Sequence, residues 1–406
     1  MAHPIISALF KSHKSAAFLV ALEFAVTCAV LCNAIFLVSE SVARMNLETG
    51  VDSKHIVWVD IGDVDNARPA ALKQADSRGD IAALARMPGV VSVAEIGTLP
   101  LSGAASTAKL SAGRDGNAVS VSGVCLYPAT VDAARALNLK LVEGRDFAPS
   151  DAVDYSDQTP PRGAAIVTEA LARRLWPQGD ALGRVVYGGD GKYAAVVVGV
   201  VERLLKANVT DSASANDSIL FAVDPGFEGA VFAIRSNSED LDRLVTQVPG
   251  TLATVRADRI VVHNEPLGET ISNYFRQDRQ LVGTLVAAST LLVLIAAMTV
   301  GALASYWVQQ RQVSIGIRRA LGASRADIVV MFLGENLLVV GTGVLVGVLG
   351  ALFLNRAIMS MYEVGVLSLP AVLIAALLLL ILGQIATLIP VVRGSLMAPI
   401  NAIRSL

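Results

Sequence analysis

Four long apolar runs punctuate the chain. They cover residues 16–38, interrupted by Glu23 alone; 281–308, with no formal charge; 328–354, with the single acid Glu335; and 369–392, again uncharged. A helix crossing a bilayer needs about 20 apolar residues at 1.5 Å rise each, whereas runs of about 10–14 read as buried core helices. The pattern therefore predicts four transmembrane helices. Between the first two, the pattern changes to short alternating segments. Residues 54–61, 90–94, 164–168, 193–201, 231–234 and 259–262 read as strands. Residues 80–87 read as a helix stopped by Pro88 and Gly89, and 131–137 as a short helix closed by Asn138. A helix over 169–175 ends before Trp176 and Pro177, and one over 238–248 ends at Pro249 and Gly250. This is an α+β domain, or a pair of small ones.

Composition agrees with a membrane protein. Hydrophobic residues make up 53% and charged residues 17%, against roughly 25% charged in soluble domains, and mean hydropathy is +0.57. A disordered chain, a disulfide scaffold and a basic nucleic-acid binder are excluded. Charge placement sets an expected orientation. Lys11 and Lys14 precede the first span, Arg311, Arg318, Arg319 and Arg325 lie between spans two and three, and Arg393 and Arg404 follow span four; Asp327 is the one acid among them. Lys and Arg concentrate on the cytoplasmic side, so both termini and the 309–327 loop are expected there. The 39–280 stretch, with 24 bases and 31 acids, is expected outside. The first span is longer than a signal-peptide core and has no A-x-A site after it, so it reads as a retained anchor. Residues 1–15 place Ile5, Ile6, Leu9 and Phe10 at helical spacing beside Lys11, His13 and Lys14, an amphipathic piece suited to the membrane face.

Candidate chemistry is sparse. His3, His13, His55 and His263 show no metal-ligand spacing. Cys28 and Cys32 share a helix face in the first span and Cys125 is the lone cysteine of the 39–280 stretch; all three read as small buried apolar groups. The run from Gly188 to Tyr193 does not fit a phosphate loop, because Val186 stands where the first glycine belongs and Tyr193 where Ser or Thr does. It reads as a hairpin turn. No catalytic, cofactor or metal site is assigned.

Several phrases resemble the MacB/FtsX family of ABC transporter permeases. Residues 134–147 (ARALNLKLVEGRDF), 165–183 (AIVTEALARRLWPQGDALG) and 196–201 (VVVGVV) follow the order of the MacB-type periplasmic core domain. Gly144 and Gly183 stand where the chain must turn. Residues 311–327 (RQVSIGIRRALGASRAD) are the most specific segment. Ser324 and Asp327 form a capping box opening span three, and plain membrane anchoring accounts for the arginines. The order from Ile315 to Ala323 resembles the family signature R-E-I-G-I-R-R-A-L-G-A, with Ser314 in place of its Glu and Val313 in place of its Arg. The ending VVRGSLMAPINAIRSL is also similar. The resemblance implies an α-helical membrane protein with four transmembrane helices and a large α+β extracytoplasmic domain inserted between helices 1 and 2. Its parts would be an amphipathic segment (1–15), helix 1 (16–38), core domain with stalk (39–280), helix 2 (281–308), coupling loop (309–327), helix 3 (328–354), external loop (355–368), helix 4 (369–392) and cytoplasmic tail (393–406). It implies a permease subunit of the bacterial inner membrane, working in export or in lipoprotein or peptide handling. The implied partners are a separate dimeric ABC ATPase, a second permease copy or paralogue, a periplasmic adaptor and membrane lipid, with no nucleic acid and no bound cofactor. The ATPase-coupling residues carried over are Arg311, Ile315, Gly316, Ile317, Arg318, Arg319, Ala320, Leu321, Gly322, Ala323 and Arg325. A regulator of an extracytoplasmic cell-wall hydrolase and a membrane-anchored ligand sensor stand as alternatives.

Within the spans, Glu23 and Glu335 are costly in hydrocarbon and are expected to pair structurally, with a proton path as the alternative. Asn33 and Gln384 are candidate interhelical hydrogen bonders, and Gly343, Gly347 and Gly350 line one side of span three, suited to close helix approach. Residues 268–280, with Ile271, Tyr274 and Phe275 at helical spacing, are expected to continue span two outward as one rod of about 60 Å.

Overall fold

The computed structural model describes residues 14–63, 69–115, 117–154, 163–188, 193–237, 241–256, 259–359 and 367–395. The amphipathic segment at 1–13, the turn at 189–192, Glu363 in the 355–368 loop and the tail beyond 395 lie outside the described residues. The chain forms two compact units. One joins Met1–Val42 to Asp278–Leu406, and the other is Ala43–Gln277.

The first unit is a helical bundle. Its long helices are α1 (Lys14–Met45), α7 (Arg276–Gln310), α9 (Arg325–Met359) and α10 (Leu369–Ser395), with the short α8 (Gln312–Ala320) between the second and third. All four long helices are apolar and long enough to cross a membrane. The bundle core holds Phe24, Cys28 and Cys32 of α1 with Val340 and Val344 of α9 and Ala375 and Leu379 of α10. Helix α7 buries only Ala296, Val300, Ala304, Trp307 and Val308, so its contact stripe is confined to its C-terminal half.

Among its described residues the second unit has eleven strands. Strands β4 (Ser120–Ala129), β3 (Thr107–Ser111), β7 (Val185–Gly188), β8 (Tyr193–Val201), β6 (Gly163–Thr168) and β9 (Ser218–Ala222) pair in that order, and β9 pairs back onto β4. The ring is therefore closed, and its inward alternate residues fill a core instead of leaving open edges. The parallel contacts β4–β9 (Cys125 opposite Ser218) and β6–β8 (Gly163 opposite Ala195) join segments distant in sequence. Strand β5 (Leu141–Gly144) adds to β8. The remaining four strands, β11 (Arg259–Pro266), β1 (Ile56–Asp63), β10 (Val231–Ser236) and β2 (Val90–Ile96), are antiparallel and attach to the ring through Ile96 opposite Ala129. On β1 the side chains alternate: Val57 and Val59 pack under helices, while Ile56 packs toward Tyr127 and Leu220 of the ring. Tyr127 is fully buried, and its hydroxyl donates to the Leu205 carbonyl at 2.6 Å.

Two helices depart from the sequence expectation, and strands β3, β4, β5, β7 and β9 lie where none is expected. Helix α2 spans Ala70–Ala85, beginning ten residues before the expected start at 80. Its buried positions are Ser77, Asp80 and Leu84, so two of three core-facing residues are polar and the apolar period gives no sign of its first half. Helix α5 (Asp242–Val255) runs through Pro249 instead of ending there. Proline removes the N–H that would bond the carbonyl four residues back; that carbonyl, on Val245, accepts the Asn264 side-chain amide of β11 at 2.6 Å instead. The expected outward continuation of span two is present as an apolar helix over Leu267–Gln310, with the single residue Phe275 outside the regular helical hydrogen bonding. Helix α6 (Leu267–Tyr274) stops at Phe275, which has φ −85° and ψ 6°, and α7 starts at Arg276. Phe275 is buried with Leu101, Leu205 and Val209, and the Tyr274 hydroxyl accepts the Val209 N–H at 2.9 Å and donates to Asn208 at 3.0 Å. Asn138 closes the short helix α3 (Ala133–Ala136) with φ 57°, and Gly144 and Gly183 adopt φ 79° and 73°, the left-handed conformations that suit these residues.

Candidate ATPase-coupling turn and the polar bundle residues

The turn between α7 and α9 is a short amphipathic helix held by its arginines. In α8, Ile315 and Gly316 face the bundle and are buried. Helix α8 ends where Gly322 takes φ 99°, with the Ala323 N–H on the Arg318 carbonyl at 3.0 Å and the Gly322 N–H on the Arg319 carbonyl at 3.1 Å. A side chain with a Cβ is strained at that φ. The next helix begins at once with a reciprocal cap: the Ser324 N–H donates to Asp327 at 2.9 Å, and the Asp327 N–H to the Ser324 hydroxyl at 3.1 Å.

Three arginines fix this helix to the rest of the bundle. The Arg311 guanidinium reaches both carboxylate oxygens of Glu335 at 2.9 and 3.1 Å and lies 5.9 Å over the Phe332 ring. Arg318 donates to the Met331 sulfur at 3.0 Å, and Arg319 to the Ser395 carbonyl at the end of α10 at 3.1 Å. The outward face is apolar. Val313, Ile317 and Leu321, spaced one turn apart, are 39%, 53% and 83% exposed, with Ala320 and Arg325 also exposed and Ala323 half-buried. Sequence reasoning centred on the arginines; the i, i+4, i+8 spacing of these three side chains was the available sign that an exposed stripe lies opposite Ile315.

The intramembrane polar residues distribute as follows. Glu335 pairs with Arg311, and Glu23 contacts the Thr299 hydroxyl of α7, so the two carboxylates have separate partners and do not form a pair. Asn33 donates to the Ala29 carbonyl of its own helix at 2.8 Å instead of bridging helices. The Gln384 amide nitrogen is buried with no hydrogen-bond acceptor among the described residues. The interhelical hydrogen bond comes from Asn336, whose amide donates to the Gly383 carbonyl of α10 at 3.0 Å. Its place one residue after Glu335, amid apolar neighbours, is the sequence sign of such a residue. On α9, a Cβ placed on Gly343 would lie 2.5 Å from the Ala21 carbonyl oxygen of α1, and one on Gly347 2.5 Å from that of Ala25 and 2.6 Å from the Cys28 Cβ. A Cβ on Gly350 would meet open space. Close approach to α1 therefore involves two of the three glycines.

This arrangement can be set beside known proteins. Residues 25–249 match the MacB-like periplasmic core domain family, and residues 286–399 match the FtsX-like permease C-terminal family. The chain belongs to the MacB/FtsX family of ABC transporter permeases. The macrolide export ATP-binding/permease protein MacB 1/2 of Paracoccus denitrificans (strain Pd 1222) is 27% identical over 301 residues, covering 72% of this chain and 41% of that protein. The uncharacterized ABC transporter permease YvrN of Bacillus subtilis (strain 168) is 22% identical over 282 residues, 66% of each chain. The protein MacB of Chromobacterium violaceum is 25% identical over 281 residues, 67% of this chain and 42% of that one. The chain thus spans less than two thirds of the length of each of these relatives. The crystal structure of the periplasmic region of MacB from Actinobacillus actinomycetemcomitans covers 57% of this chain and 98% of its own, at 14% identity and a TM-score of 0.36. In this MacB/FtsX permease the family assignment places Ala43–Gln277, the strand-built unit, outside the cytoplasm and the four-helix unit in the inner membrane.

Proposed function

We propose that this chain is the membrane subunit through which a separate, dimeric ABC ATPase moves an extracytoplasmic domain, with both termini and the α8 turn on the cytoplasmic side. The observation that carries the reading is the build of α8. Its inner face is tied to α9 through Arg311 and Glu335 and to α10 through Arg319 and the Ser395 carbonyl. Its outer face presents Val313, Ile317 and Leu321. A helix fixed on one side with an apolar stripe on the other suits receipt of a push from a partner groove. The exposed stripe supplies affinity, and the tethered arginines pass displacement to the spans. Helix α7 directly precedes this turn, is about 52 Å long at 1.5 Å per residue, and packs only through its C-terminal half. Its other end joins α6, anchored in the strand domain by Tyr274 and Phe275. Nucleotide-driven motion at α8 therefore has a covalent route to the extracytoplasmic domain. Cargo need not pass through the chain. Export, as in the name of the macrolide-exporting relatives, is the class of work proposed, with a second permease copy and a periplasmic adaptor completing the assembly.

The test is co-expression with the cognate ATPase and measurement of permease-stimulated ATP hydrolysis. Ile317→Asp with Leu321→Asp should abolish stimulation and co-purification while membrane insertion persists, because truncating central apolar anchors costs about 2 kcal/mol or more each. Unchanged stimulation in that double variant, or labelling of the α8 turn from outside the cytoplasm, would remove the coupling claim.

A further inference from the structure

Glu95 is a buried acid in the extracytoplasmic domain that the coupling route does not use. It lies on β2, two residues after Val93 on the helix-covered face, where alternation calls for an apolar side chain. It is 4% exposed. Its Oε2 accepts the Ser77 hydroxyl of α2 and the Gly226 N–H at 2.8 Å. Gly226 belongs to the 224–229 loop between β9 and β10. There φ is 85°, and a Cβ would fall 2.6 Å from the Gln74 nitrogen of α2, so loop and helix backbones press together directly over the carboxyl. One oxygen thus joins a strand, a helix and a loop.

The surroundings make this junction conditional. The buried face of α2 is Ser77, Asp80 and Leu84, so polar contacts supply much of its docking. The charged groups on the elements packed around Glu95 are Lys73, Asp76, Arg78 and Asp80 on α2, Asp224 and Glu228 on the loop, and Arg235 on β10. Asp76 pairs with Arg256, Asp80 with Arg259, and Arg78 lies 3.7 Å from Asp224. Among the described residues the Glu95 carboxyl is held by a hydroxyl and an amide, with no cation in contact with it.

We propose that Glu95 is a proton-dependent latch: protonated, it fastens α2 and the 224–229 loop to the sheet, and ionised, it releases them. Burial pushes the carboxyl up to about 7, against the smaller opposing pull of the Ser77 and Gly226 donors. A group raised in the closed state stabilises that state fully below its ordinary range and loses the contribution as pH rises through the closed-state value. Lifting the helix and loop hydrates the carboxylate and restores its ordinary acidity. Between about pH 6 and pH 8 the opening equilibrium should therefore rise about tenfold.

Hydrogen exchange of the full chain in lipid nanodiscs tests this, with wild type and Glu95→Gln compared at each pH so that intrinsic exchange rates cancel. Gln keeps an oxygen for both donors and cannot ionise. The wild-type-to-variant rate ratio for peptides over 70–85 and 224–229 should be about tenfold larger near pH 8 than near pH 6, with no such change for peptides over 163–175. A ratio independent of pH, or a rise spread evenly over the domain, overturns the latch. If Glu95→Gln does not fold, Ser77→Ala serves. It removes a donor that favours the ionised form, so the midpoint of pH-dependent opening should move upward; an unmoved or lowered midpoint overturns the assignment.

Discussion

Replacing Gly347 by alanine asks whether α1 and α9 are as close as the backbone places them. The new Cβ would lie 2.5 Å from the Ala25 oxygen and 2.6 Å from the Cys28 Cβ, where ordinary contact begins at 3.4 Å. The helices must separate by roughly 1 Å. Radial gaps of 0.5–1 Å forfeit about a quarter to a half of each contact's dispersion well, and overpacking of a close-packed site costs about 1–3 kcal/mol. Removing glycine from a helix interior returns about 0.5–1 kcal/mol. The expected net loss is about 1–2 kcal/mol, measured by reversible unfolding in bicelles. Gly343→Ala meets the same helix one turn away, 2.5 Å from the Ala21 oxygen. One outward displacement relieves both clashes, so the double variant should cost less than the sum of the singles. Gly350→Ala, facing open space, should lie within about 0.5 kcal/mol of wild type. A local readout accompanies the global one. Cys28 is fully buried beneath Gly347, and a membrane-permeant thiol reagent should label it in Gly347→Ala but not in Gly350→Ala. Wild-type stability together with an unlabelled Cys28 in Gly347→Ala would refute the close approach.

Two further outcomes are expected. Asp80 and Arg259 form an ion pair with side chains 0% and 8% exposed, so Asp80→Ala should destabilise the extracytoplasmic domain by about 3–5 kcal/mol, while Asp80→Leu with Arg259→Met recovers most of the loss; thermal unfolding of the full chain, followed by exchange in that domain, reads both. Asn336→Leu removes the amide donated to Gly383 and should cost about 1 kcal/mol of bundle stability; the same bicelle unfolding measures it, and a gain in stability would show that the hydrogen bond does not hold α9 to α10.

Legibility from sequence varied with the kind of signal each element carries. Strand β8 and helix α4 (Glu169–Leu175) are expected over the residues they occupy, because one is a continuous apolar run and the other ends at Trp176 and Pro177; the structure adds the Thr168 N-cap, whose hydroxyl accepts the Leu171 N–H at 3.3 Å. Strands β3, β4, β5, β7 and β9 are not expected from the pattern, although β9 is buried at every position; four of them are runs of four or five residues, too short to show a period, and β4 carries Gly123 and Pro128 within its run. In the coupling turn, the sequence marked the glycine breaks and the basic residues. It could not say that Arg311 would choose Glu335, 24 positions away, since pair selection depends on which helix faces which.

The sequence by itself determined the four spans, the insertion between the first two, and the compact Ile315–Ala323 turn, because length in a bilayer, local hydropathy and glycine backbone freedom are properties of short segments. Tertiary structure alone decided three things: that β9 closes the ring on β4, that Asn264 sustains α5 past Pro249, and that Ser77 and Gly226 converge on Glu95. Each joins groups between 18 and 131 residues apart in sequence. Partners that distant are chosen by packing geometry and by the need of buried polar atoms for a hydrogen bond, and neither is written in the local pattern of residues.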